Sequence, residues 1–249
     1  MRPETGFDPA GEQVAALNAT LDGAPPETVL TRALDAFAGR IALVSSFGAE
    51  SVVLLHMVAR IDPGLPVLFI DTEMLFPETL AYQRGVAETL GLTGVRVVRP
   101  DPLALAAADP DGTLHETDPD RCCALRKVRP LETALAGYGA WITGRKRHQT
   151  GARAAIAPVE LDPAGRVKVN PLLHWSAADL RRYIDVHALP RHPLVARGYA
   201  SIGCAPCTSP VAPGENPRAG RWRGRAKEEC GIHFAGGRVL RRAGAGGAG

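Results

Sequence analysis

An α/β domain built on a parallel sheet is the fold this sequence predicts, and three observations carry it. Short apolar runs at 41–44, 66–70 and 95–98 are separated by stretches with helical spacing of apolar residues. That succession over 41–98 reads as strand, helix, strand, helix, strand, which argues for a doubly wound parallel sheet. With 249 residues, 45% of them hydrophobic, the chain can also bury a sizeable core.

The elements follow in order. Residues 1–24 are mixed, with a weak helical pattern at Val14, Leu17 and Leu21. Pro25-Pro26 opens a clearer helix through Val29, Leu30, Ala33, Leu34 and Phe37, and Gly39 ends it. Ile41 to Val44 reads as a buried strand leading into Ser45-Ser46-Phe47-Gly48-Ala49-Glu50-Ser51 and a helix from Val52 to about Arg60. Strand, small-residue loop and helix start together can bind a phosphate, because helix N-terminal N–H groups and hydroxyls point at the anion. The loop is neither a Walker A sequence nor GxGxxG, so an ordinary serine-capped turn remains the alternative. Pro66 to Ile70 is the second strand, ending at Asp71-Thr72-Glu73. Pro77 to Leu90 is the next helix, closed by Gly91, and Val95 to Val98 the third strand. Ligands of such sheets sit beyond the carboxyl ends of the strands, which gathers Ser45, Ser46 and Asp71 at one crevice. Asp71 could bind a ribose, orient a loop or cap a helix.

Residues 99–118 read as a connection with at most a short helix. Asp118-Pro119-Asp120 then starts a helix with Leu125, Val128, Leu131 and Leu135 as its core face, and Pro130 kinks or interrupts it. At a spacing of four, Lys127 stacks over Cys123 and Arg126 over Cys122. Ala140 to Thr143 is a fourth strand, followed by Gly144-Arg145-Lys146-Arg147, which suits an anion or a solvated loop. Val167 to Val169 reads as an edge strand, and Ser176 with Asp179 as a capping box before a helix from Leu180 to His187. The Pro/Gly/Arg-rich stretch up to 226 lacks apolar anchors and reads as mobile. Residues 236–249 read as a disordered Gly/Ala end. The division is thus one domain at 1–208, its sheet within about 41–170, and a mobile segment at 209–249.

The net charge of +3 makes no case for nucleic acid. The basic residues cluster instead at 121–129, 145–153 and 218–227, which suits anion handling. No run is long and apolar enough for a membrane span and no signal-peptide pattern opens the chain, so a cytoplasmic location is expected. Cysteines there are thiols, metal ligands or catalytic groups. Four of the five form two close pairs, Cys122-Cys123 and Cys204-Ala205-Pro206-Cys207. A CxxC alone favours zinc. Adjacent helical thiols, however, point about 100° apart and reach one tetrahedral ion badly, whereas they can ligate different irons of a 4Fe-4S cluster. The alternatives are zinc and buried free thiols. Cys230, in Lys227-Glu228-Glu229-Cys230-Gly231-Ile232-His233, is left as a candidate nucleophile, with His233 placed to assist it or merely to pack.

The segments SSFGAES (45–51), FIDTEMLFPET (69–79), RCCALRKVRPL (121–131), WITGRKRHQT (141–150), NPLLHW (170–175), HPLVARGYASIGCAPCT (192–208) and RWRGRAKEECGIH (221–233) together resemble the assimilatory adenylylsulfate reductases, in the family shared with phosphoadenylylsulfate reductases. The resemblance implies an ATP-pyrophosphatase-like fold of the adenine nucleotide alpha hydrolase type, with SSFGAES where a pyrophosphate loop would be. It implies reduction of adenosine 5′-phosphosulfate to sulfite and AMP for sulfate assimilation and cysteine biosynthesis, with thioredoxin as electron donor. Cys230 would form the S-sulfonate. Cys122, Cys123, Cys204 and Cys207 would hold the cluster. Ser45, Ser46, Gly48, Ile70 and Gly144 would line the nucleotide pocket, and Lys127, Arg145, Arg218 and Arg221 would offset the substrate's charge. Both cysteine pairs mark the branch that usually takes the nucleotide without a 3′-phosphate; the 3′-phosphorylated substrate, alone or in addition, is the alternative. An iron–sulfur tRNA thiolation enzyme of the same fold is a more distant one, and SSFGAES departs from the SGGxDS loop it would need. Association into a homo-oligomer is left open.

Overall fold

The computed structural model describes residues 9–149, 153, 155–225, 227 and 229–232. Two helices, α1 (Pro9–Leu21) and α2 (Pro26–Ala36), precede strand β1 (Ile41–Ser45). Then come α3 (Ser51–Ile61), β2 (Val67–Ile70), α4 (Pro77–Thr89) and β3 (Val95–Val98). Three short helices, α5 (Pro102–Ala108), α6 (Leu114–Thr117) and α7 (Pro119–Cys123), lead through a π turn at Ala124–Val128 into α8 (Arg129–Leu135). The chain continues as β4 (Ala140–Ile142), β5 (Val159–Leu161), β6 (Val167–Val169) and α9 (Ala177–Val186).

The strands form one sheet in the order β3-β2-β1-β4-β6-β5, parallel throughout except for β5, which pairs antiparallel with β6. Alternate residues face opposite layers. Ile41, Leu43, Val67, Phe69, Ile142 and Val169 pack with residues of α2, α3, α4 and α9, including Leu30, Val53, Val86 and Leu180. Ala42, Leu68, Ile70 and Trp141 pack with Leu131 and Leu135 of α8. Burial on both faces explains why the central strands read as unbroken apolar runs rather than alternating ones. The expected α/β parallel sheet is the observed one.

Two expectations need correction. β6 is not the edge: β5 lies outside it. In β5 only Val159 is buried, while Glu160 turns to Arg145, so three residues with one apolar anchor carry too little pattern to be seen. The connection at 99–118 holds two helices rather than one. Asp101 caps α5 by accepting from the Leu103 N–H at 2.9 Å, and Leu105 and Leu114 are buried with Cys122 and Leu125 in a small third core.

Pro130 interrupts its helix by way of the π turn. A proline inside an α-helix clashes with the carbonyl four residues back and donates no bond. Here the Arg129 N–H bonds to the Ala124 carbonyl, five residues back, so the ladder gains one residue before Pro130. The added residue turns the register, leaving Val128 only half-buried and burying Arg126 and Lys127. Buried charge requires partners. Arg126 donates to Asp109 at 2.7 Å and 3.1 Å and to the Thr72 carbonyl at 3.1 Å. Asp118 caps α7, accepting from the Arg121 N–H at 3.0 Å, and Ser176 with Asp179 forms the expected capping box.

The segment before the second cysteine pair is held by His192. It is 1% exposed, with Nδ1 accepting from the Leu194 N–H at 3.2 Å and Nε2 at 3.1 Å from the Thr79 hydroxyl. With Nδ1 as acceptor the ring is neutral and Nε2 is the donor. Burial lowers its pKa to about 4, against a smaller opposing effect of Glu78. The unfolded chain therefore takes up this proton below about pH 6.5 while the folded chain resists it until pH about 4. The contribution to stability is present above pH 6.5 and is lost as pH falls toward 4, amounting to about 3 kcal/mol. Urea unfolding of the wild type should show that slope between pH 6.5 and 4, and His192→Gln should flatten it.

Candidate active site

The sheet order reverses between β1 and β4, and the loops that leave these two strands diverge there, opening a crevice at their carboxyl ends. A cavity of about 360 Å³ fills it.

The β1 loop is folded on itself. The Ser45 hydroxyl accepts from the Phe47 N–H at 3.2 Å and the Ser51 hydroxyl from the Gly48 N–H at 3.0 Å. Phe47 has φ 47°, costly for a bulky side chain, and its fully buried ring against Phe69 at 5.2 Å holds it there. From the β4 loop Lys146 crosses to Glu50 at 2.7 Å, so the two loops are tied over the crevice. Arg145 pairs with Glu160 and donates to Asn170 at 3.1 Å, which also accepts from Thr143 at 2.9 Å.

The described residues expected to contact the substrate, Ser45, Ser46, Gly48, Ile70, Gly144, Arg145, Arg218 and Arg221, all line this one cavity, together with Lys127 and Cys230. His233 and the Gly/Ala end lie outside the described residues. Asp71 faces elsewhere. It accepts from the Glu73 N–H at 3.0 Å and from Arg99 at 3.1 Å, so of its three readings the loop-orienting one is observed.

A second, smaller cavity is lined by Cys122, Cys123, Cys204 and Cys207 with Met74, His115, Pro119, Arg126 and Lys127. The two cavities share Lys127 and Cys204 as a common wall. Lys127 is 9% exposed. Burial works against its charge, but Cys204, Cys123 and Cys230 outweigh that and raise its pKa above the ordinary value. Cys204 is held below its ordinary value: burial opposes this, but Lys127, the Thr72 hydroxyl at 3.2 Å and Arg221 prevail. Cys122 is instead pushed up to about 12 by burial and by neighbouring thiols. Among the described residues no group of three or more His, Cys, Asp or Glu side chains converges as it would on a single metal ion. Four thiols line this one cavity with Arg126 and Lys127 beside them, a donor set chemically able to hold a thiolate-ligated group.

The chain after Cys207 closes over the crevice. A mobile segment at 209–249 is expected from the sequence. Here the Ser209 N–H bonds to the Gly220 carbonyl at 2.9 Å and the Trp222 N–H to the Cys207 carbonyl at 3.0 Å. Gly220 is required, because a Cβ there would collide with the Ser209 carbonyl. Lys227 pairs with Asp120 of α7, and Ile232 packs onto the face of the sheet that carries Ile70 and Trp141.

Sequence reasoning missed several site residues. Arg153 and Trp222 line the cavity, and their Nε and Nε1, like the Arg221 Nε, are buried donors with no acceptor among the described residues. Buried donors of this kind call for an acceptor, which a water or an anionic ligand can supply. Trp222 sits at φ 48° under the Arg221 guanidinium, 4.6 Å from its ring. Gly203 lies directly against that guanidinium, so a Cβ there would push the end of the Arg221 side chain aside. Arg153 stood at the end of a basic cluster, which was the one signal for it.

Residues 40–210 match the family model described as the phosphoadenosine phosphosulfate reductase domain. The chain is 49% identical to the adenosine 5′-phosphosulfate reductase of Mesorhizobium japonicum over 240 residues, 94% of each chain. It is 53% identical to that of Chelativorans sp. over 198 residues, 80% of each. A solved structure, the phosphoadenylyl-sulfate reductase of Candida auris in its phosphate complex, superposes with a TM-score of 0.70 at 31% identity, covering 82% of this chain and 99% of that one. On a family model that spans most of the chain, and on relatives similar over nearly its full length, this protein belongs to the phosphoadenosine phosphosulfate reductase family.

Proposed function

We propose that this chain, whose relatives are named adenosine 5′-phosphosulfate reductases, reduces that nucleotide to sulfite and AMP. The observation that carries the reading is the placement of Cys230. Its half-buried thiol lines the same cavity as the β1 and β4 loops and as Lys127, Arg153, Arg218 and Arg221. A thiolate attacking a polyanion needs cations close by to offset repulsion and to stabilise charge on the leaving group.

The Cys230 thiolate attacks the sulfur of the phosphosulfate. The S–O bond to phosphate breaks, AMP leaves with the electron pair, and Cys230 carries an S-sulfonate. A thiolate of reduced thioredoxin then attacks Cys230 Sγ and releases sulfite with the electron pair of the sulfur–sulfur bond. The second thioredoxin thiol resolves the mixed disulfide, so its dithiol supplies both electrons. Ser45, Ser46, Gly48, Ile70 and Gly144 bind the nucleotide in this reading. Lys127, Arg145, Arg218 and Arg221, joined by Arg153, take the charged groups. Residues 1–208 form the nucleotide-binding domain, and the segment from 209 onward delivers Cys230 first to the nucleotide and then to thioredoxin. His233 assists at the thiol. The protein works in the cytoplasm.

Cys122, Cys123, Cys204 and Cys207 would hold a 4Fe-4S cluster, which would supply charge for Lys127 to work against and would tie α7 to the 204–207 turn. Lys127 stands in the wall between the two cavities and faces the one that holds Cys230, so in this reading it aligns the substrate's sulfo group with the thiol.

Two outcomes follow. Incubated with adenylylsulfate but no thioredoxin, wild type should gain one sulfonate on Cys230 by mass spectrometry. Cys230→Ser should gain none and lose sulfite turnover by at least about 10⁴-fold; sustained turnover in that variant refutes the mechanism. Lys127→Ala should slow S-sulfonation by about 10²–10³-fold, as for loss of one buried charge-stabilising donor, with Lys127→Arg recovering part. An unchanged single-turnover rate would remove Lys127 from the chemistry.

A further inference from the structure

Glu229, beside the nucleophile, is not solvated. It is 2% exposed, with one carboxylate oxygen 2.7 Å from Arg153 and the other 3.6 Å from Arg218. Both arginines line the large cavity, and so does Glu229. Guanidinium groups bind carboxylate, phosphate and sulfate oxygens through the same fork of donors. A buried arginine without an anion is costly, so a carboxylate in this place keeps the pair charged in the absence of ligand. The same carboxylate holds positions that an incoming polyanion would take. It also lies one residue from Cys230, on a segment otherwise tethered by Lys227 to Asp120 and by Ile232 on the sheet.

We propose that Glu229 is a resident occupant of the anion seat formed by Arg153 and Arg218, displaced by the terminal anionic group of the substrate when it binds. The inference rests on the nucleotide-reductase reading and adds a positioning role to it. The carboxylate keeps Cys230 docked and the arginines neutralised until the phosphosulfate arrives. The exchange then frees the segment carrying Cys230 to reach the sulfur. Arg153 becomes a substrate-binding residue by the same argument. Its buried Nε, which has no acceptor among the described residues, is one more donor aimed at the incoming group.

The test uses the full chain and two inert probes. ADP carries a second phosphate where the sulfo group would sit; AMP lacks it. Calorimetric titration should show that Glu229→Gln tightens ADP at least about tenfold while changing AMP little. Glu229→Asp, which keeps the charge, should behave as wild type. A merely structural Glu229 would instead weaken both nucleotides on removal. With the true substrate, Glu229→Gln should lower KM without raising the rate of S-sulfonation. Should that variant fold poorly, hydrogen exchange on wild type decides: ADP, and not AMP, should raise exchange over 225–232. Unchanged or weaker ADP binding by Glu229→Gln, or undiminished protection of that stretch under ADP, overturns the displacement. If wild type binds neither nucleotide, the reading beneath it falls as well.

Discussion

One buried ammonium joins the two halves of this site. Lys127 stands in the wall between the four-thiol cavity and the larger one, and its charge is kept by Cys204, Cys123 and Cys230 rather than by any carboxylate within salt-bridge reach among the described residues. A lysine in that position would ordinarily be neutralised by burial. Of the sulfur atoms that keep it charged, Cys123 lies one turn before Lys127, while Cys204 and Cys230 come from parts of the chain far along the sequence. The π turn places Lys127 there, and the Arg126–Asp109 pair anchors the turn.

The remaining cations show the same economy. Lys146 is paired with Glu50, Arg145 with Glu160, and Arg153 with Glu229. Of these pairs only Arg153–Glu229 is buried on both sides, and breaking a pair of that kind costs about 3–5 kcal/mol; Glu50 and Glu160 are partly solvated, so their pairs are worth less. Arg218 shares Glu229 with Arg153, and neither Lys127 nor Arg221 has a carboxylate within salt-bridge reach among the described residues, so an anionic ligand enters a cavity with an excess of cations. Strain is stored beside it: Phe47, Glu73 and Trp222 all adopt positive φ within the loops that border the two cavities. Preorganised donors of this kind lose little on ligand binding.

Much of this was legible in the sequence. The parallel core followed from three apolar runs, the crevice from the loops after two strands, and the gathering of four thiols from two close cysteine pairs. What stayed hidden depends on distance along the chain. Thr72 meets Cys204 across 132 positions and Arg153 meets Glu229 across 76. No local pattern encodes such a meeting. Glu229 reads as one charge in a polar tail until Arg153 is seen beside it, and Gly203 reads as a turn residue until Arg221 is seen above it. β5 escaped for another reason, since a three-residue strand with one buried side chain has no period to detect.

The central claim is that a thiol on the closing segment does chemistry on a sulfonucleotide in a crevice backed by a thiol-bound iron–sulfur group. An anaerobic assay of the purified protein with adenylylsulfate and reduced thioredoxin tests it most directly, recording sulfite release and visible absorbance on the same sample. The account predicts a brown protein that releases sulfite faster from adenylylsulfate than from its 3′-phosphorylated form. A colourless protein active only on the 3′-phosphorylated nucleotide would contradict the reading of the four thiols, and absence of sulfite from either would contradict the account as a whole.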